Sequence, residues 1–487
     1  MGRKNKQKQR KKEYKPAQRA YRGKFEVTRS GMGFVVVEGL DKDIIVRPHD
    51  FNKAFHGDTV RVEVTKGDMR IGRLQGKIIQ VIERLQKEFI GVLELNRDFG
   101  FFIPQTDKPI PDFFIPLDKV NGAKDGDKVF ARMISWDEDD KRPKGEIIEV
   151  ASAEREGDMA MKEILVQQGF SLSFNDEVVE ETLRIPETIT REEIALRRDM
   201  RNTLSFTIDP EDAKDFDDAL SFSKLEADLF EIGIHIADVS HYIQPETALD
   251  SEAYERGTSV YLPDRVVPML PERISNELCS LRPHEDKLTY SCVFKINSKA
   301  EIKHVWMGRT VTHSNHRFTY EQVQEIIEGK TGLYEKEIHL LHKLAQQFRA
   351  KRMKNGAINF SSQEVRFRLD EKGIPIGIVI KESKFSHQLI EEFMLLANRT
   401  VAEKVSQVKV SNKPIPFPYR VHNQPDEEKL LPFVEFARKY GYVFSTQTPN
   451  EIARSFNEML SRVQGLPEQR VLEQLGIRTM AKAIYTV

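Results

Sequence analysis

Two kinds of hydrophobic pattern follow one another along the chain. Between residues 25 and 133, short runs of alternating apolar and polar residues are separated by Gly, Pro, Asp and Asn, as in β-strands joined by tight turns. Strand-like alternation returns from Leu204 to Thr312. Apolar residues then recur with helical spacing in Tyr320–Glu328, Glu335–Lys354, Gln388–Val405, Glu427–Tyr440 and Asn450–Val463. The pattern predicts small β-domains followed by a larger α+β domain.

The first strand-rich region is an internal repeat. Its first copy comprises Gly31–Val37, Asp43–Pro48 and Gly57–Val64, and its second copy comprises Asp98–Pro104, Asp112–Pro116 and Gly126–Met133. Short alternating strands of this kind predict a small closed β-barrel for each copy. Strands of the Gly-Phe-Gly-Phe type resemble those of cold-shock domains, which are OB-folds whose surface aromatic residues stack on single-stranded bases.

Aromatic residues distinguish the two copies. In the second copy, alternation places Phe99 and Phe101 on one face, and Phe102 and Phe114 are expected to point inward. The first copy offers Phe34, so we expect weaker base stacking there. The alternative for each of these residues is a place in the barrel core.

The most concentrated chemistry lies between two strand-like runs, Leu204–Ile208 and Ala219–Phe222. Carboxylates occur there at Asp209, Glu211, Asp212, Asp215, Asp217 and Asp218. So many negative charges repel one another unless a cation or a proton neutralises them. Mg²⁺ takes oxygen ligands and is commonly held by a few carboxylates together with substrate phosphates. The segment therefore indicates a Mg²⁺ site that handles phosphate, and the alternative is a solvated acidic loop.

The motif Thr-Ile-Asp-x-x-x-Ala-x-Asp-Phe-Asp-Asp-Ala at 207–219 resembles that of the ribonuclease II/ribonuclease R exoribonucleases, the RNB family. Further matching motifs are Ile234–Ser240, Gly257–Pro263, Pro268–Glu272 and Leu278–Leu281. The basic start and the two barrels favour the ribonuclease R branch. The resemblance implies two OB-fold (cold-shock) barrels followed by an α+β RNB catalytic domain. It also implies Mg²⁺-dependent 3′→5′ hydrolysis of single-stranded RNA to nucleoside 5′-monophosphates.

The resemblance assigns roles to the acids. It makes Asp209, Asp215 and Asp218 metal ligands and Asp217 the residue most needed for chemistry. One or two Mg²⁺ ions could bind to such a set, because two metals about 4 Å apart are a recurring arrangement for phosphodiester hydrolysis. Glu211 and Asp212 fall outside the family's acid positions and are expected to be solvated.

The resemblance also implies contacts to RNA. Tyr261 matches an aromatic residue that stacks on the 3′-terminal base, and Phe360 matches its partner at the other end of the bound nucleotides. Tyr320 and the pair Glu391/Glu392 match positions that contact the ribose, whose 2′-OH distinguishes RNA from DNA. For Tyr261 and Phe360 the alternative is a place in the core.

Composition narrows the cellular setting. The hydrophobic fraction is 39%, and no apolar run reaches the length of a membrane span. Cys279 and Cys292 form no zinc or disulfide framework, which favours a reducing cytoplasm. Residues 1–23 are a basic tail, expected to be disordered and able to contact RNA phosphates, the ribosome or RNA-decay factors. The alternative for the tail is a solubility segment, and we expect a monomer.

The motifs divide the chain into cold-shock domains at 24–84 and 85–150, a connector at 151–200 and an RNB domain at 201–487. Family members continue past this point with a His-Phe-x-Ser-Pro-Ile-Arg-Arg-Tyr segment and an S1 barrel, so the catalytic domain is expected to be truncated. Two alternatives remain to the nuclease: an RNA-binding protein with an inactive or incomplete nuclease domain, and a single-strand-binding chaperone that uses only the barrels.

Overall fold

The computed structural model describes most of the chain. The described residues are 20–40, 42–68, 73–137, 139–151, 156–360, 364–370, 374–381 and 383–487. They form two compact units that divide between Asn175 and Asp176, except that Ile374 groups with the first unit. Most of the predicted basic tail, residues 1–19, lies outside the described residues. Residues 20–23 belong instead to the first strand, because Ala20–Lys24 pairs with Thr59–Glu63.

Within the described residues, the first unit contains ten strands in two closed barrels. The strands are β1 Ala20–Val27, β2 Gly33–Val36, β3 Ile44–Val46, β4 Thr59–Asp68, β5 Arg73–Glu83, β6 Glu88–Leu95, β7 Phe99–Pro104, β8 Phe113–Pro116, β9 Lys128–Ser135 and β10 Lys144–Val150. The order around the first barrel is β1-β2-β3-β5-β4, and the order around the second is β6-β7-β8-β10-β9. The two barrels therefore share one connectivity, which confirms the repeat and the predicted pair of barrels. Helix α1, Glu156–Gln167, follows them.

Alternation within the strands builds each barrel core. Phe102 and Phe113 are fully buried in the second barrel. The register pairs Phe102 with Phe113 and Phe101 with Phe114, so that Phe114 lies on the outer face. The expectation that Phe114 points inward was wrong, because the Phe113-Phe114 dipeptide alone does not say which ring takes the inner position.

The second unit contains the remaining helices and strands. Its helices are α2 Asp176–Arg184, α3 Arg191–Ala195, α4 Val239–Tyr242, α5 Ala248–Arg256, α6 Tyr320–Ile327, α7 Glu335–Lys354, α8 Phe385–Ser406, α9 Glu427–Lys439, α10 Pro449–Arg462 and α11 Gln469–Arg478, with a π-helix at Arg273–Leu278. Its strands are β11 Arg198–Asp199, β12 Leu204–Asp209, β13 Asp218–Glu226, β14 Leu229–Ala237, β15 Val260–Tyr261, β16 Val266–Val267, β17 Asp286–Ile296, β18 Ile302–His313, β19 His316–Thr319, β20 Glu364–Leu369, β21 Pro375–Lys381, β22 Lys409–Val410, β23 Lys413–Pro414, β24 Tyr419–Val421 and β25 Ile484–Thr486.

A seven-stranded sheet with helices on one face is the centre of this unit. The strand order is β11-β18-β17-β14-β13-β12-β19, with β12 parallel to β19 and antiparallel to β13. Apolar side chains from β12, β13, β14 and β17 pack against those of α6, α7 and α8 to form the main core. The five predicted helical segments are confirmed, and so is the α+β class.

A second apolar core lies among α9, α10 and α11. Phe433 of α9 and Phe456 of α10 stack with ring centroids 5.4 Å apart and an interplanar angle of 7°. Leu472 of α11, a helix that the sequence pattern did not predict, is fully buried against them. Among the described residues, no helix combines the length and the apolar character needed to cross a membrane.

Candidate active site

The carboxylates lie at one end of the seven-stranded sheet. Asp209 is the last residue of β12, and Asp218 is the first residue of β13. Because β12 and β13 are antiparallel neighbours, these two residues return to the same end of the sheet. Between them, residues 210–217 form an irregular connection that we call the acidic loop. The predicted place of the acids, on a loop that leads into the sheet, is confirmed.

Burial and crowding perturb these carboxylates. Asp209 is only 8% exposed, and burial, followed by the charges of Asp215 and Asp217, raises its pKa to about 6. Burial, with the charges of Asp209 and Asp217, raises the pKa of Asp218 to about 7. Such shifts measure how poorly the surroundings support a negative charge. A simple solvated loop would not produce them, whereas Glu211 and Asp212 are exposed as expected.

Asp217 combines solvent access with a perturbed carboxylate. Its side chain is exposed, yet the surrounding protein desolvates it enough to raise its pKa, and the charge of Asp215 adds to the shift. The backbone is fixed, because the amide of Ala237 donates a hydrogen bond of 3.0 Å to the carbonyl of Asp217. Asp217 is therefore held in place with a carboxylate that solvent can reach.

The carboxylate oxygens at this end of the sheet are the type of ligand that a hard cation takes, but they are not arranged around one point. Within the described residues, no three Asp, Glu, His or Cys side chains converge closely enough to hold a metal ion. One buried oxygen of Asp209, Oδ2, has no hydrogen-bond partner among the residues that the structure describes. A buried carboxylate oxygen without a donor, close to other carboxylates, is chemically matched to a divalent cation that takes oxygen ligands.

Side chains from distant parts of the sequence hold the acidic loop. The Ser280 hydroxyl accepts a hydrogen bond of 3.0 Å from the amide of Phe216 and donates one of 2.8 Å to the carbonyl of Lys214. On β19, Arg317 donates to the carbonyls of Pro210 and Glu211. The loop thus has supports at both of its ends.

Both predicted tyrosines lie beside the acids. Tyr261 is 69% exposed, and its hydroxyl lies 3.5 Å from Oδ2 of Asp215, so this residue is not part of the core. Tyr320 follows Thr319, which pairs with Asp209 across β12 and β19. Burial and the charges of Asp218 and Asp209 raise the pKa of Tyr320 to about 12. The ring of Tyr320 stacks on that of His387, with centroids 4.1 Å apart.

The glutamate pair on α8 is in a different environment. The side chain of Glu392 is 2% exposed and accepts hydrogen bonds from Arg352 at 2.5 Å and from Arg349 at 3.3 Å. The side chain of Glu391 is 47% exposed and is 3.1 Å from Arg352. Only Glu391 is therefore accessible to a ligand without first breaking a buried ion pair.

The ring of Phe360 packs beside the core formed by α9, α10 and α11. It is half-buried and contacts Phe456, with 5.6 Å between ring centroids. The preceding Asn359 is held by Arg349, whose Nη2 donates to its side-chain oxygen at 2.6 Å, and by Asn457. The stacking role predicted for Phe360 stays a prediction.

The outer face of the second barrel carries a cluster of three aromatic rings. Phe99 lies 5.1 Å from Phe101 and 5.6 Å from Phe114, measured between centroids. The guanidinium of Arg142 lies 4.5 Å from the centre of the Phe101 ring. The first barrel presents Phe34, which is half-buried.

The sequence did not identify several of these residues. Arg317, Arg349, Arg352 and His387 are far along the chain from the groups they contact, and Arg142 lies in a loop. Two of them could have been found from their proximity in sequence to predicted site residues. Arg317 precedes Tyr320 by three residues, and His387 precedes Glu391 by one helical turn.

Comparisons with known proteins agree with this architecture. A family described as "RNB domain" matches residues 197–487, "Ribonuclease B OB domain" matches 23–81, and "Cold shock domain" matches 101–175. The chain is 35% identical over 474 residues to ribonuclease R of Thermotoga maritima and 32% identical over 466 residues to ribonuclease R of Escherichia coli. These alignments cover 95% and 94% of this chain.

A solved structure of Mycoplasma genitalium RNase R, in complex with ribose methylated single-stranded RNA, superimposes with a TM-score of 0.70 at 25% identity. The match covers 96% of this chain and 73% of that chain. The chain spans 65% of the length of the Thermotoga relative and 56% of the Escherichia coli relative. Since the RNB match alone extends over more than half of the sequence, the chain belongs to the RNB family of ribonucleases.

Proposed function

We propose that the protein is a hydrolytic 3′→5′ exoribonuclease that degrades single-stranded RNA, and structured RNA as well, to nucleoside 5′-monophosphates with Mg²⁺. The observation that carries the proposal is the set of crowded carboxylates at the end of the sheet. Asp209 and Asp218 have pKa values raised to about 6 and about 7 by burial and mutual repulsion. Strongly perturbed acids of this kind cluster at functional sites.

In this proposal the acids have two different roles, metal binding and proton transfer. Asp209, Asp215 and Asp218 hold Mg²⁺, and nucleases generally use divalent metal ions. The ion, when bound, neutralises charge on the phosphate and makes water a nucleophile at neutral pH. Asp217, whose side chain solvent reaches, orients the attacking water and accepts its proton. A carboxylate with a raised pKa accepts a proton more readily than an ordinary aspartate does. Burial raises the pKa of Asp217 in this direction.

Aromatic residues bind the RNA in the same proposal. Tyr261 stacks on the 3′-terminal base beside Asp215, and Phe360 stacks at the other end of the bound nucleotides. Stacking recognises no base edge, and each stacked base contributes about 1–3 kcal/mol. Tyr320 and Glu391/Glu392 contact the ribose, and Glu391 is the accessible member of that pair. Phe34, Phe99 and Phe101 bind bases on the barrels.

Known complexes support RNA as the ligand. RNase R of Mycoplasma genitalium has been solved with ribose methylated single-stranded RNA and with double-stranded RNA. The remaining features of the proposal are a monomer in the cytoplasm and a basic tail that contacts the ribosome or RNA-decay factors. The proposed domains are 20–84, whose start the first strand moves from residue 24 to residue 20, 85–150 and 201–487, with a connector at 151–200.

An RNA-binding protein with an inactive domain is the competing function. The crowded carboxylates argue against it, because a protein that only binds RNA gains nothing from uncompensated negative charge beside phosphate. A chaperone that uses only the barrels leaves the acids unexplained.

The test uses the whole protein and one single-stranded RNA labelled at either end. With Mg²⁺, a 3′ label is expected to appear at once as a nucleoside 5′-monophosphate, while a 5′ label shortens step by step. EDTA stops both processes, and added Mg²⁺ restores them. Decay that persists in EDTA, or the absence of any decay while RNA still binds, would contradict the proposal.

A further inference from the structure

Arg317 of β19 contacts the acidic loop near both of its ends. Its Nη2 group donates hydrogen bonds to the carbonyl of Pro210 and, at 2.8 Å, to that of Glu211. Its guanidinium carbon lies 5.5 Å from the centre of the Phe216 ring. One side chain therefore contacts the first two residues of the loop and a residue near its last position.

The strand register brings Arg317 to this place. Strand β19 runs parallel to β12, with Thr207 opposite Arg317 and Asp209 opposite Thr319. Side chains two positions apart on a strand share a face, so Arg317 lies on the same side of the sheet as Asp209. Its charge also favours the ionised form of Asp209, which partly opposes the effect of burial on the pKa of that acid.

We propose that Arg317 is a positioning residue, which holds the acidic loop at the end of the sheet where Asp209, Asp215 and Asp218 bind a cation. The proposal rests on the proposed function, because it takes these acids as metal ligands. Its hydrogen bonds to the loop go to backbone carbonyls, so Arg317 positions the acids mainly through the loop backbone. The planar guanidinium is required, since a lysine ammonium lacks the flat face that covers Phe216.

The loop has a second support that keeps variants of Arg317 folded. Ser280, which is almost fully buried, binds the amide of Phe216 and the carbonyl of Lys214. Removing Arg317 therefore frees the Pro210–Glu211 side of the loop while its other end stays attached. The expected effect is a local increase in motion and not global unfolding.

Three variants test the proposal: Arg317→Met, Arg317→Lys and the control Arg198→Met. Arg198 also covers an aromatic ring, that of Trp306 at 5.0 Å, and pairs with Glu231, but it is bound to neither end of the loop in these contacts. Hydrogen exchange is measured on residues 211–217 without metal, and Mg²⁺ affinity is measured by calorimetry without RNA. Neither readout depends on nuclease activity.

In Arg317→Met, exchange of residues 211–217 is expected to rise at least about tenfold, with other segments unchanged. Mg²⁺ affinity should fall by about 10–100-fold, the usual consequence of losing a residue that orients metal ligands. The kcat should fall by about 100-fold, while RNA affinity in EDTA stays within about twofold. Arg317→Lys should resemble Arg317→Met, and Arg198→Met should resemble the wild type.

Unchanged loop exchange and unchanged Mg²⁺ affinity in Arg317→Met would overturn the proposal. Full recovery of both in Arg317→Lys would also overturn it, because charge alone would then suffice. A wild-type protein without Mg²⁺-dependent RNA decay would refute the proposed function instead, and the exchange and calorimetry results would still decide the role of Arg317. If Arg317→Met does not fold, Arg317→Lys alone tests the proposal. Wild-type loop exchange and wild-type Mg²⁺ affinity in this variant would overturn it.

Discussion

The second unit holds two groups of carboxylates that differ in how their charge is compensated. On α8, Glu392 is buried and receives hydrogen bonds from Arg352 and Arg349. At the end of the sheet, Asp209 is buried and Asp218 is half-buried beside other carboxylates, and the pKa values of both are raised. The first group is neutralised by the fold itself. In the second group, Arg317 offsets part of the charge of Asp209, and the remaining uncompensated charge requires a proton or a cation.

The difference has opposite consequences for stability. Removing one partner of a buried ion pair leaves the other charge uncompensated and is strongly destabilising. Removing one of several crowded carboxylates relieves repulsion and should stabilise the protein when no cation is bound. Chemically similar side chains in one domain can thus be distinguished as structural or functional by the sign of a mutational effect.

The largest expected effect comes from the uncompensated group. Asp217→Asn should lower kcat to about 1% of the wild-type value or less, because a positioned proton acceptor contributes about 10²–10⁴ in rate. RNA affinity should stay the same or rise, since one negative charge beside the phosphate is lost. Single-turnover decay of labelled RNA and filter binding in EDTA measure the two quantities. Residual activity well above 1% would remove Asp217 from its central role.

The compensated group should give the next largest effect, on stability. Glu392→Gln is expected to lower the free energy of unfolding by about 3 kcal/mol, because Arg349 and Arg352 lose their buried partner. Glu391→Gln is the matched control and should cost less than about 1 kcal/mol, since that carboxylate is half-exposed. Urea unfolding measures both values. Equal losses for the two variants would mean that Glu392 is not the structural member of the pair.

Asp218→Asn should stabilise the protein, which is the opposite of the effect expected for Glu392→Gln. Burial and the charges of Asp209 and Asp217 raise the pKa of Asp218 to about 7. The native state therefore binds a proton that the unfolded chain has released, and wild-type stability without metal falls as the pH rises from about 4 to about 7. The variant cannot lose this stability, so at pH 8 in EDTA it should be more stable by about 2 kcal/mol, allowing for screening by solvent.

The pH profile supplies the control for this prediction. Below about pH 4 the two proteins should be equally stable, because Asp218 is then protonated in both states. Added Mg²⁺ should stabilise the wild type at pH 8 more than it stabilises Asp218→Asn, since the variant lacks one carboxylate ligand. Parallel stability curves for the two proteins over this range would show that Asp218 does not titrate as described.

The comparison also explains what the sequence could and could not predict. Strand and helix periods are local, so the segments α6–α10 and the position of the acids between β12 and β13 followed from the sequence. The compensation of charge is not local. Glu392 meets Arg352 forty positions away because α7 and α8 pack together, and Arg317 reaches the acidic loop because β19 pairs with β12. Spacing along the chain encodes neither contact.

The smallest expected effect is that of replacing Tyr261, whose hydroxyl lies beside Asp215 of the uncompensated group. A base-stacking residue determines how many nucleotides must be held for the terminal phosphate to reach the acids. Tyr261→Ala should therefore change the length of the last undegraded oligonucleotide of a homopolymer without stopping hydrolysis, since one stacked base is worth about 1–3 kcal/mol. Stability should change by less than about 0.5 kcal/mol, because the side chain is 69% exposed.

Tyr254 provides the matched control, since it is a tyrosine of the same unit that is 89% exposed and lies on α5. Tyr254→Ala should leave both stability and the final oligonucleotide unchanged. If Tyr261→Ala gives the same product ladder as Tyr254→Ala, the hydroxyl contact of Tyr261 with Asp215 has no bearing on RNA length. Tyr261 would then belong with the exposed side chains that surround the site, and the base would have to be held by another residue.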